Sequence, residues 1–173
     1  MKLKYKILEI DRTAIWSVAS IKNYLRISHE YDDALIASLA EAAIEYAENF
    51  IGAFIHKREV SCLVTKANKT IRFNKFSEMD LTSVHQIGEE EPEDISEGFG
   101  EFEAETSSLI IEDLYIGQTL EIKYNSGFGR AIPKALKLGL LKHISAMYEL
   151  NESALDPVDE IRNLYLPYRK FKI

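Results

Sequence analysis

The sequence predicts an α+β protein that is mainly helical: a bundle of N-terminal and C-terminal helices packed together, with a small antiparallel β module inserted between them. Three observations predict it. A helix-period apolar stripe runs over residues 35–51 and stops at Gly52. A second helix-period stretch, over 135–148, is apolar around much of its circumference. The residues between them are short β-branched runs separated by turn-forming and acidic segments. On this reading residues 1–173 make one domain, helical over 17–52 and 132–169, with a β-rich acidic insertion at about 54–124.

Taken in order, Val18, Ile21, Tyr24 and Leu25 fall three and four apart and place a short helix over 17–25. Asp32 stands at an N-cap position, where its carboxylate can accept from the free amides of the next turn. In the helix that follows, Leu35, Ile36, Leu39, Ala43, Ile44, Ala47 and Ile51 belong to the apolar stripe. Glu41, Glu45 and Glu48 take the outer face, and Gly52 supplies a left-handed C-terminal stop. Residues 60–65 and 70–73 flank a plausible hairpin turn at 66–69, and 83–88 form a third strand. The acidic stretch 89–100, with Pro92, Gly98 and Gly100, reads as an exposed loop. Further strands fall at 109–111 and 119–124, the latter with Leu120, Ile122 and Tyr124 on one side. Gly127 and Gly129 turn the chain out of the sheet, and Pro133 sits in the first turn of the long apolar helix. A last helix carries Val158, Ile161, Leu164 and Tyr165, capped by Asp156 with Pro157 in its first turn.

Composition narrows the function classes. Cys62 is the single cysteine, so neither an intramolecular disulfide nor a cysteine zinc cluster is available. No apolar run of membrane-spanning length occurs. The basic N-terminus is not followed by a signal-like apolar core, so no membrane partner is expected and synthesis is expected in the cytoplasm. The net charge of −7 is unevenly placed: residues 76–122 hold 14 of the 28 acidic residues and no lysine or arginine. That pattern reads as an acidic block between two mildly basic helical parts, a distribution that speaks to association with a partner or with further copies.

Chemistry-bearing residues are sparse. His29, His56, His85 and His143 lie far apart, and the nearest approach to a cluster, His29 with Asp32 and Asp33, is better explained by helix capping. Cys62 lies in a strand-like run as an inert buried thiol. Gly127-Phe128-Gly129 lacks the remaining residues of a dinucleotide or phosphate loop. The helix after the first one carries Glu41, Glu45 and Glu48, which repel phosphate and argue against a helix-turn-helix. No catalytic residue, metal or cofactor is expected.

Three blocks carry a family resemblance. Lys22, Leu25 and Arg26, then Asp32-Asp33-Ala34-Leu35, then the acidic helix ending at Gly52, resemble the opening of phage head–tail connector (adaptor, head-completion) proteins. Tyr124-Asn125-Ser126-Gly127-Phe128 followed by Ile132-Pro133 is similar to that family's strand-to-helix junction. Tyr148-Glu149 and Leu164-Tyr165-Leu166-Pro167-Tyr168-Arg169 are similar to its C-terminal motifs, with Asn151 where an arginine is common. The resemblance implies a non-enzymatic virion component at the head–tail junction, made in the bacterial cytoplasm. It implies a ring of about a dozen copies on the portal protein, extending the channel for double-stranded DNA without reading its sequence and offering a surface to the next connector or tail-completion protein. Alternatives are another morphogenesis protein, such as a tail terminator, or a small regulatory or enzymatic domain. The expected interface residues are Glu89, Glu90 and Glu91 of the acidic block, facing a neighbouring copy or the channel. Tyr168, Arg169, Lys170 and Phe171 of an aromatic, basic tail are expected to dock on a partner.

Overall fold

The computed structural model describes residues 1–12, 15–73, 79–88, 91–103, 106, 108–149 and 158–169. About 40% of the described residues are helical, 3-10 turns included, and 32% are in strands, in eight described strands and four described α-helices, so the mainly helical bundle with a small β module is overturned. The chain divides into two compact units. One joins Met1–Arg12 to His56–Gly127; the other joins Thr13–Ile55 to Phe128–Ile173.

The described elements of the first unit are strands, apart from one 3-10 turn at Asp113–Tyr115. Its larger sheet has the order β1 (Lys2–Asp11), β2 (Lys57–Thr65), β8 (Leu120–Ser126), β4 (Met79–Gln86), β5 (Glu93–Asp94), with every neighbouring pair antiparallel. The register aligns Val60 with Tyr124, Cys62 with Ile122 and Val64 with Leu120, all of them buried. The alternation expected for 119–124 is thus present. A smaller antiparallel sheet, β3 (Thr70–Arg72), β7 (Ser108–Ile111) and β6 (Gly100–Glu103), contributes buried Ile71, Leu109 and Ile111. Phe73, just past β3, lies 5.2 Å from Tyr124 between ring centroids, bringing the two sheets' apolar sides together. Each fully buried aliphatic side chain here is worth roughly 1.5–3 kcal/mol.

Three features of this unit depart from expectation. The N-terminal decapeptide is a strand: Lys2, Lys4 and Lys6 alternate with Leu3, Tyr5 and Ile7, the period-two signature, and pair along β2. The expected hairpin does not form, because β2 pairs with β1 and β8 while β3 pairs with β7. Its turn instead joins the loop before β8, with Ala67 N–H donating to the Gln118 carbonyl and Gly117 N–H to the Ala67 carbonyl (2.9 and 2.7 Å). Finally, the acidic stretch 89–100 is not all loop. It contributes β5, and Ile95 and Phe99 are buried. Gly100 (φ +146°) is there because a Cβ would meet the Ile110 carbonyl oxygen at 1.9 Å.

The second unit holds α1 (Val18–Leu25), α2 (Asp33–Ile51), α3 (Lys134–Glu149) and α4 (Asp159–Tyr165). Its core gathers Ile21, Ile36, Ile44, Ile51, Leu136, Leu140, Ile144, Met147, Ile161 and Tyr165 from all four helices. The Ser17 hydroxyl accepts the Ser20 N–H (3.2 Å) to cap α1, and Gly52 (φ +68°) ends α2 as expected. Two carboxylates depart from their expected roles. Glu48 is buried, and its Oε1 accepts the Ile55 N–H (2.8 Å), turning the chain after α2. Asp32 makes no side-chain cap and instead accepts the Tyr148 hydroxyl (2.6 Å), tying the start of α2 to the end of α3. Gly139 lets α4 approach α3, since a Cβ there would fall 2.7 Å from the Tyr165 ring. The expected cap Asp156 and Pro157 lie outside the described residues.

Candidate interaction surfaces

The charge separation is internal to the β unit. That unit carries 17 acidic and 11 basic residues, whereas the helical unit carries 11 and 10. The helical parts are therefore not the basic counterpart expected from the sequence. The basic surplus lies in residues 1–12 and 56–75, with ten basic residues against three acidic ones. Nine described carboxylates of 76–122 are exposed, among them Asp80, Glu91, Glu93 and Asp94. Asp94 accepts both the N–H and the hydroxyl of Ser96 (2.9 and 2.5 Å), and these bonds hold its carboxyl below the usual carboxylate range.

Of the residues singled out as interface, Glu91 is exposed immediately before β5, while Glu89 and Glu90 lie outside the described residues. Tyr168 is half-buried and meets Phe128 edge-on at 6.5 Å. Arg169 is exposed with its guanidinium 5.2 Å from the Phe50 ring centroid, and its N–H closes a 3-10 turn onto the Leu166 carbonyl (3.1 Å). The start of the C-terminal tail is thus packed on the helical unit; Lys170 and Phe171 lie outside the described residues.

The residues weighed for chemistry are held in structural roles. Cys62 is buried in the sheet, and burial pushes its thiol up to about 12, far from the thiolate a nucleophile needs. His143 is fully buried, with Nδ1 3.3 Å from the Tyr165 hydroxyl, and burial also pushes that phenol up. His29 Nε2 approaches Asp32 at 3.8 Å, and Asp33 takes the Lys22 ammonium at 2.7 Å instead of joining them. Among the described residues no three of His, Cys, Asp and Glu come together as a metal-binding group. No described helix is long and apolar enough to cross a membrane.

Exposed apolar side chains are the surface features that the sequence pattern did not single out. Tyr31, between α1 and α2, is 93% exposed, and Leu114, in the turn after β7, is 67% exposed. Along β1, Tyr5, Ile7 and Leu8 are each about 40% exposed. Scattered exposed aliphatics are ordinary, but a row on an edge strand is a recognisable docking feature. Its signal in the sequence was the Lys-apolar alternation of residues 2–7.

Comparison with known proteins completes this description. No curated protein matches the chain. Two solved structures share its fold over nearly all of both chains. A chain from "Neck of empty GTA particle computed with C6 symmetry" has a TM-score of 0.76 and 18% identity, covering 98% of this chain and 97% of its own. A chain from "Virion of native gene transfer agent (GTA) particle" has a TM-score of 0.71 and 17% identity, covering 98% and 96%. The model of the family described as "Head completion protein" matches residues 14–147. That match takes in the α1–α2 motifs, both sheets from β2 onward and the glycine junction into α3, so the chain belongs to the head completion protein family.

Proposed function

We propose that this chain is a structural subunit of a head–tail connector, one copy of a ring at the junction of a phage or phage-like particle. Membership of the head completion family carries the reading. The fold shared with chains of gene transfer agent particles, one of them a neck with C6 symmetry, supports the ring and its place in the virion. In this role the protein performs no catalytic step; it supplies surfaces. The portal protein lies on one side of the ring and the next connector or tail-completion protein on the other, and double-stranded DNA passes through without sequence recognition. The acidic segment containing Glu89, Glu90 and Glu91 either meets basic surface on an adjacent copy or lines the channel, where it keeps DNA from adhering. Tyr168 and Arg169, which pack against Phe128 and Phe50, dock on a neighbour together with Lys170 and Phe171.

The test is assembly. The purified chain, mixed with portal-bearing DNA-filled heads and imaged by negative stain, is expected to add a ring at the portal vertex and to permit tail joining. Heads prepared without it are expected to stay tailless. A chain that never associates with heads, and whose omission leaves tail joining intact, overturns the proposal.

A further inference from the structure

The two edges of the five-stranded sheet are unlike in a way that suggests what each one meets. β1 is the outermost strand on one side, ten residues long and, among the described strands, paired only with β2. Lys2, Lys4 and Lys6 are exposed along it, on the opposite side of the strand from Leu3, Tyr5 and Ile7. Those three continue the buried Val64, Cys62 and Val60 row out to the edge, where Tyr5 and Ile7 remain 39% and 43% exposed. The far side of the sheet ends at β4 and β5. β5 pairs only with His85 and Gln86, and at Val84 the carbonyl accepts the Ile95 N–H (2.9 Å) while the N–H donates to the Ser96 hydroxyl (3.0 Å), so no described strand or such bond lies outside β4 over 79–83. On the face that carries the lysines this edge is acidic, with Asp80 and Asp94 exposed, whereas Glu93 aligns with Gln86 and Leu120 on the other face; there the interior row ends in half-buried side chains, Met79 and Leu81.

We propose that the acidic β4–β5 edge of one copy docks on the basic β1 edge of the next, so that the sheet continues from subunit to subunit. The inference rests on the ring reading above and gives that ring its lateral contact. A long edge strand with unpaired backbone groups and apolar side chains recruits another strand unless something selects against it. On β1 the selecting element is the lysine row. Pairing of β1 with β1 sets lysine against lysine, which opposes a closed two-fold dimer. Pairing with the acidic edge sets lysine against carboxylate and covers Tyr5 and Ile7. Because the two mating surfaces differ, the contact is head-to-tail, the kind that repeats around a ring. The bulge at Leu8, where the register shifts between Ile7 and Glu9, twists the far end of β1 and confines docking to its first seven residues.

A charge exchange tests this on the full chain. The basic-edge variant is Lys4→Glu with Lys6→Glu; the acidic-edge variant is Asp80→Lys with Asp94→Lys, the two carboxylates that the register places on the lysine face. Ring formation is read by negative stain and native mass spectrometry on portal-bearing heads, and folding by circular dichroism and protection of the Cys62 thiol. Each variant alone is expected to form rings at least tenfold less than wild type. An equal mixture is expected to recover them with the two chains in equal number, since each reversed edge then faces a complementary one. The neutral variants Lys4→Gln and Asp80→Asn, which do not invert charge, should show a smaller loss in the same direction. Normal rings from either reversed variant alone, or a mixture no better than its components, overturns the shared sheet while leaving the ring reading standing. Failure of the wild type to form rings overturns both.

Discussion

The helical unit and the β unit invest their residues differently. The helical unit is nearly neutral and places polar groups in its interior, Glu48 against the Ile55 amide and Tyr165 beside His143, with the half-buried Asp32 and Tyr148 bonded nearer the surface. The β unit has an apolar interior built on rows such as Val60, Cys62 and Val64. Its charge is spread over the outside, with basic and acidic segments on opposite sheet edges. Interior polar bonds fix one arrangement of helices; exterior charge of two signs leaves strand edges available to other chains. Stability changes should therefore come from either core, whereas assembly changes should come chiefly from the β unit.

The largest test compares the cores. Leu140→Ala in the helical unit and Ile122→Ala in the β unit are each expected to cost about 2–5 kcal/mol in denaturant unfolding, since both side chains are fully buried. Cys62 separates them. Its thiol, pushed up to about 12 by burial, should resist labelling at neutral pH in the wild type, and Ile122→Ala should accelerate labelling far more than Leu140→Ala. Equal acceleration would erase the distinction between the units. Next in size is Gly139→Val, expected to cost about 1–3 kcal/mol because the added carbons enter the space of the Tyr165 ring. Tyr165→Phe should cost about 1 kcal/mol, the ordinary worth of a hydrogen bond, if the His143 contact fixes the helices as argued.

The smallest effect is at the surface of the helical unit. Lys142 pairs with Glu160, and the hydrogen bond and charge of that lysine hold the Glu160 carboxyl below its usual range. A carboxylate whose pKa is depressed by folding stabilises above its unfolded value, and loses that contribution as pH falls through the folded one. Glu160→Gln should thus melt slightly below wild type at pH 7, with the gap closing as the pH drops below the carboxylate range. A gap that persists at pH 2 would assign the effect to something other than the ion pair.

How much of this was legible in the sequence depended on whether the signal was local. The alternation of Leu120, Ile122 and Tyr124 and the glycine stop at Gly52 are local patterns, and both elements form where expected. The fold class was misjudged because strand pairing is not local. Residues 66–69 have the composition of a hairpin turn, yet the partner of β3 lies some forty residues away in β7. The Lys-apolar alternation of residues 2–7 carries the signal of β1, an edge strand that holds part of the β unit's basic surplus. Glu48 has an outward spacing on α2, but the turn toward Ile55 brings an amide that draws it in. For the interface residues, the sequence marked a charged segment without distinguishing the exposed Glu91 from the hydrogen-bonded Asp94.

The order in which the two units are threaded has a consequence for biosynthesis. The β unit is complete once the chain has reached Gly127, while α1 and α2, made earlier, must wait for α3 and α4 to cover Ile36, Ile44 and Ile51. Nascent chains are therefore expected to pass through a stage in which the sheet is complete while the apolar faces of α1 and α2 still lack their cover, the kind of intermediate that chaperones protect. Translation pauses beyond residue 127 should prolong this vulnerable interval, making the final helices the step that decides how much soluble protein a cell recovers.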